Sequence, residues 1–66
     1  MTAKRWTVYG ERDPDVARTG TGPDTLRATL KYLRDRGDEW ADVDAGDGTG
    51  FHRIDFPLLP IEHVFP

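Results

Sequence analysis

Apolar positions in this chain recur with two different spacings, and the spacings divide it into elements. Residues 22–37 read Gly-Pro-Asp-Thr-Leu-Arg-Ala-Thr-Leu-Lys-Tyr-Leu-Arg-Asp-Arg-Gly. Leu26, Leu30 and Leu33 fall at helical intervals and form one apolar stripe. Pro23 suits the first helical position, where an N–H has no intrahelical partner. Asp24 complements the positive N-terminal end, and Arg34 and Arg36 the negative C-terminal end. Gly37 can take the left-handed conformation that closes a helix. A helix over about 23–36 follows, with an apolar face that the rest of the chain must cover.

Elsewhere the spacing is two. Arg5-Trp6-Thr7-Val8-Tyr9 is β-branched and aromatic and stops at Gly10, which predicts a strand over about 5–9. Trp6 and Val8 share one face, Thr7 and Tyr9 the other, as expected of an interior strand. Beyond the helix, Ala41, Val43 and Ala45 alternate with Asp42 and Asp44. Gly46-Asp47-Gly48-Thr49-Gly50 is turn material, and Phe51 to Phe56 returns as a strand with Ile54 and Phe56 on one face and His52 in line. A hairpin over about 39–56 results, with Phe51 out of phase unless a bulge near Gly50 corrects it. Asp-Pro, Gly and Thr punctuate residues 10–22, which read as loop, with a short edge strand at Val16 and Ala17 as the alternative. Prolines at 57, 60 and 66 exclude a helix or an interior strand from the apolar segment 57–66 and leave an edge strand or extended chain.

The expected fold is α+β: a small, mainly antiparallel sheet of three to four strands with one helix on one face, in the order strand, helix, hairpin, terminal edge strand. The Leu stripe should pack on Val8 or Tyr9, Val43, Ile54 and Phe56. At 66 residues the chain makes one domain. Such a domain buries only ~60% of its unfolded surface, so association is a reasonable source of added stability.

Composition narrows the chemistry. No Cys, Ser, Asn or Gln is present, which we read as coding bias in a GC-rich genome, with a salt-adapted host as the alternative. Without Cys there is neither a disulfide nor a thiolate metal site. Without Ser or Cys the commonest nucleophiles are missing. No run approaches the ~18 apolar residues of a membrane span, and no signal-like apolar stretch follows Lys4 and Arg5. A cytoplasmic, non-enzymatic protein without cofactor is expected. Net charge is −3 but unevenly spread. Residues 4–36 carry eight basic and five acidic side chains, +3, and residues 37–66 one basic and seven acidic, −6.

Candidate sites follow from these patterns. Arg27, Lys31 and Arg34 line one helical flank and could contact phosphate, with Arg5 and Arg18 in support. Without a second helix, helix-turn-helix readout is excluded. Arg18 to Gly22 ahead of the helix suggests an anion loop, but no Lys stands at P-loop spacing and Asp24 opposes phosphate. Asp38, Glu39, Asp42, Asp44 and Asp47 form an acidic stretch able to meet a basic protein surface. As a calcium loop counted from Asp42 it fails at the fifth, sixth and twelfth positions, held by Gly46, Asp47 and Arg53. His52 and His63 have no recognised ligand spacing, so no metal is expected.

The C-terminal segment carries most functional weight. Leu58, Leu59, Ile61, Val64 and Phe65 either all pack within the chain or partly meet another one. Pro57-Leu58-Leu59-Pro60 matches a bare P-x-x-P, a pattern too common to imply a partner. The leading expectation is a protein-binding module that self-associates through this segment as a homodimer, an inhibitor or adaptor of the sort phages and mobile elements carry. Nucleic-acid binding by the basic flank is the runner-up.

Overall fold

A computed structural model of the chain describes residues 4–57. Its elements are β1 (Arg5–Gly10), β2 (Asp13–Thr21), α1 (Pro23–Asp35), β3 (Trp40–Asp44) and β4 (His52–Asp55). The strands form one antiparallel sheet in the order β2-β1-β3-β4, with α1 on one face. The α+β architecture is as the sequence pattern indicates, and β1 is interior as its two-sided character requires. The expected terminal edge strand lies in residues outside those described.

One element differs from expectation. Residues 10–22 are not a loop: after a tight turn at Glu11-Arg12 the chain runs back along β1 as the nine-residue β2. Its positions facing the helix hold Arg18 opposite Val8 and Gly20 opposite Trp6. Neither is apolar, so the alternation that betrays a half-buried strand is missing. Pro14 coincides with a register irregularity between Val8 and Gly10, the kind of place where a strand tolerates proline.

Both β2 and β3 run antiparallel to β1, so they are parallel to each other. A crossover of that kind needs a long connection, and α1 supplies it. The helix starts at Gly22 (φ 87°) with Pro23 at its first position. The Thr25 hydroxyl donates to the Thr21 carbonyl at 2.6 Å. At the other end Gly37 (φ 104°) closes it: Gly37 N–H donates to Arg34 C=O and Asp38 N–H to Leu33 C=O, both at 3.1 Å. That pair of bonds is the Schellman arrangement.

The core is one cluster of Trp6, Val8, Leu26, Leu30, Leu33, Ala41, Val43, Ile54 and Phe56, with Ala45 against it. Val8, Leu30 and Leu33 are wholly buried. Burying each such side chain contributes about 1.5–3 kcal/mol. The Trp6 indole N–H donates to Thr25 Oγ1 at 3.0 Å, so its polar end is satisfied inside the core. Tyr9 is not part of this cluster; it points to the other face. Phe51 needs no bulge to correct its phase, because it too belongs to that face, beside Tyr9.

Candidate interaction surface

Alternation along β1, β3 and β4 puts Arg5, Thr7, Tyr9, Trp40, Asp42, Asp44, Arg53 and Asp55 on the face away from α1. Among the described residues no element covers this outer face. Tyr9 and Phe51 reach toward each other over β3, ring centroids 5.6 Å apart and tilted by 48°. With Pro14 and Asp42 they line an open groove of about 380 Å³. Beside it the Arg53 guanidinium lies 3.8 Å from the centroid of the Trp40 ring and binds Asp42 through Nε at 3.0 Å and Nη2 at 3.3 Å. That carboxylate holds the Arg53 pKa above its ordinary value. Phe51 is 52% exposed, a large aromatic left in water.

The acidic stretch does not assemble into one surface. Asp38 is interior, only 4% exposed, and this corrects its expected role as a surface contact. Its carboxylate accepts from Arg36 Nη2 at 3.0 Å and from the Arg12 backbone N–H at 3.1 Å. Glu39 is exposed near Glu11, whose carboxylate accepts the Glu39 N–H. Asp42 and Asp44 belong to the outer face, and Asp44 also caps the Gly46 N–H at 2.9 Å. Asp47 sits in the β3–β4 turn and accepts the Thr49 N–H and hydroxyl. The stretch spans three settings, the cap of α1 at Asp38, the strand β3 at Asp42 and Asp44 and the turn at Asp47, so its members are turned different ways.

Asp38 instead joins a polar network that the sequence did not reveal. Asp13 binds Arg18 through both oxygens (2.9 and 2.8 Å) and Arg36 likewise (2.6 and 3.2 Å), and Arg36 also binds Asp38. The Tyr32 ring lies 5.6 Å from Arg36 and 6.0 Å from Arg18. Arg12 donates from its side chain to the Arg36 carbonyl at 3.1 Å. Hydrogen bonds from Arg18 and then Arg36 hold the Asp13 carboxyl well below the usual range, and the Arg36 hydrogen bond lowers Asp38. This network ties β2 to the end of α1 where apolar packing is absent. Asp13 and Arg36 are 23 positions apart, and no local pattern links them.

The basic flank stays on the helix surface. Arg27 approaches Asp24 at 3.5 Å, Arg34 binds Asp35 at 3.3 Å, and Lys31 is exposed. Arg18, a supporting cation in the phosphate expectation, is committed to Asp13. Near the helix start, a second groove of about 330 Å³ is lined by Trp6, Pro23, Leu26 and Ala45, with Lys4 and Asp47 at its margin. Arg18 to Thr21 are strand and Gly22 is the N-cap of α1. No group of three or more His, Asp or Glu side chains among the described residues is arranged to hold a metal. No described helix is long and apolar enough to cross a membrane. Leu58, Leu59, Ile61, Val64, Phe65 and His63 lie outside the described residues.

Comparisons of the chain with family models, curated proteins and solved structures gave no match.

Proposed function

We propose that the protein is a small non-enzymatic protein-binding module that works in the cytoplasm. Its contact surface is the outer sheet face, and it self-associates through Leu58, Leu59, Ile61, Val64 and Phe65. The observation that carries this reading is the aromatic group Tyr9, Phe51 and Trp40 on a sheet face that no described element covers. Tyrosine and tryptophan are enriched at the centres of protein interfaces, where they bury large area at small entropic cost. Asp42, Asp44 and Asp55 around them, against Arg53 and Arg5, give the face a mildly acidic rim that suits a partner with a basic one. An inhibitor or adaptor would use such a surface.

The test joins two measurements on the full chain. Replacing Tyr9 and Phe51 together by Ala should abolish capture of the protein's partner while leaving the circular dichroism unchanged. Replacing Leu59 and Phe65 by Asp should lower the solution mass. Capture and mass that both ignore these changes would sink the reading.

A second reading is nucleic-acid binding through Arg27, Lys31 and Arg34, supported by their common helical flank and opposed by Asp24 and Asp35 beside them. Its signature is affinity that falls steeply with salt; retention indifferent to salt excludes it.

A further inference from the structure

Among the described residues, β2 is one edge of the sheet and pairs with β1 alone. The phase of the β1–β2 ladder fixes which of its backbone groups remain available. Gly22 N–H donates to Lys4 C=O at 3.0 Å, one step beyond the Arg5–Thr21 pair. Hydrogen-bonded pairs alternate along an antiparallel ladder, so Gly20 and Arg18 also turn their backbone groups toward β1. Thr19 and Thr21 therefore direct their N–H and C=O groups outward, and Ala17, next to the last regular pair, its C=O.

Edge strands are ordinarily protected by proline, charge or bulges. Here Pro14, Asp15 and the register irregularity sit together at the start of β2. From Ala17 to Thr21 the sole charge is Arg18, and its guanidinium is held by Asp13 at 2.8 Å on the helix side. From Arg18 the ladder is regular, and no described element covers this edge.

We propose that Ala17–Thr21 pairs with the same segment of a second copy, antiparallel about a two-fold axis through Thr19. The sequence is self-complementary about that point. Thr19 meets Thr19, Ala17 meets Thr21, and Arg18 meets Gly20, which offers no side chain to obstruct it. No like charges come opposite each other, and facing threonines are a favourable cross-strand pair. The Thr19–Thr19 pair gives two backbone bonds and the Thr21 N–H to Ala17 C=O contacts give two more, about four in all. Opposed residues in a ladder point to the same side, so both helices fall on one face and both Tyr9–Phe51 surfaces on the other. Two four-stranded sheets become one continuous platform.

The pairing does not use residues 58–66 and can fail separately from the self-association proposed above. The full chain should show a mass that rises with concentration in sedimentation equilibrium, and amide exchange at Thr19 and Thr21 that slows in step. Thr19→Pro removes an outward N–H that β1 does not use. Thr19→Lys keeps that N–H and sets two ammonium groups face to face, so it serves if the proline variant does not fold. Each folded variant should weaken the dimer by roughly tenfold or more with unchanged circular dichroism. A wild-type chain that stays monomeric, or a dimer that survives both Thr19 variants, overturns the proposal. A dimer lost in Leu59→Asp/Phe65→Asp but kept in Thr19→Lys overturns it too and leaves the reading through the C-terminal segment standing.

Discussion

Gly20 and Trp6 occupy each other's space across the β1–β2 ladder. A Cβ at Gly20 would lie 2.4 Å from the Trp6 ring, closer than carbon atoms can approach. Gly20→Ala should therefore push the indole out of place, break its bond to Thr25 and destabilise the fold by about 1–3 kcal/mol. A thermal melt that does not move would refute this. Asp38 poses the opposite question, a charge that must stay. Asp38→Ala removes the acceptor of the Arg36 side chain and the Arg12 backbone N–H and leaves Arg36 to Asp13 alone, so it should cost about 1–3 kcal/mol, read as a lower urea midpoint. The pH dependence has a definite sign. Asp13 and Asp38 have folded-state pKa values below their ordinary ones. Their contribution is complete above the unfolded carboxyl pKa of about 4 and is lost as pH falls through the lowered values. The urea midpoint should fall progressively as pH is lowered from about 5, and a smaller fall should be seen in Asp13→Asn. An acid profile identical in the two proteins would show that the network is not its source.

At the scale of elements, α1 and β2 stand at opposite ends of legibility. The helix could be read because its signals are local: a Leu stripe, a proline at its start, a glycine at its end. All three act where expected, with Leu26, Leu30 and Leu33 buried and Gly37 at positive φ. Leu30→Ala should cost about 2–5 kcal/mol, since this wholly buried side chain would leave a cavity. Gly37→Ala should cost about 1–2 kcal/mol through the left-handed backbone alone. Equal melting of the two variants and the wild type would contradict both estimates. The strand β2 could not be read, because its inward positions are filled by an ion pair and by the absence of a side chain. Arg18 is inward because Asp13, braced by Arg36, receives it, and Gly20 because Trp6 fills its place. Each reason lies on another element.

At the scale of the whole molecule, one helix covers one face of a four-stranded sheet, and no described element covers the other. Tyr9→Ala and Phe51→Ala should therefore leave stability within about 1 kcal/mol of wild type, as substitutions away from the core do, while altering association. A large loss of stability would mean that the outer face is part of the core. The sequence by itself determined the helix, its buried stripe, the interior strand β1 and the β3–β4 hairpin, because each rests on a periodicity or a turn written within a few residues. Only the tertiary structure decided the second strand, the interior fate of Asp38 and the meeting of Tyr9 with Phe51. These depend on contacts between segments far apart in the chain, and a pattern read along one dimension carries no record of which distant side chain will supply the partner.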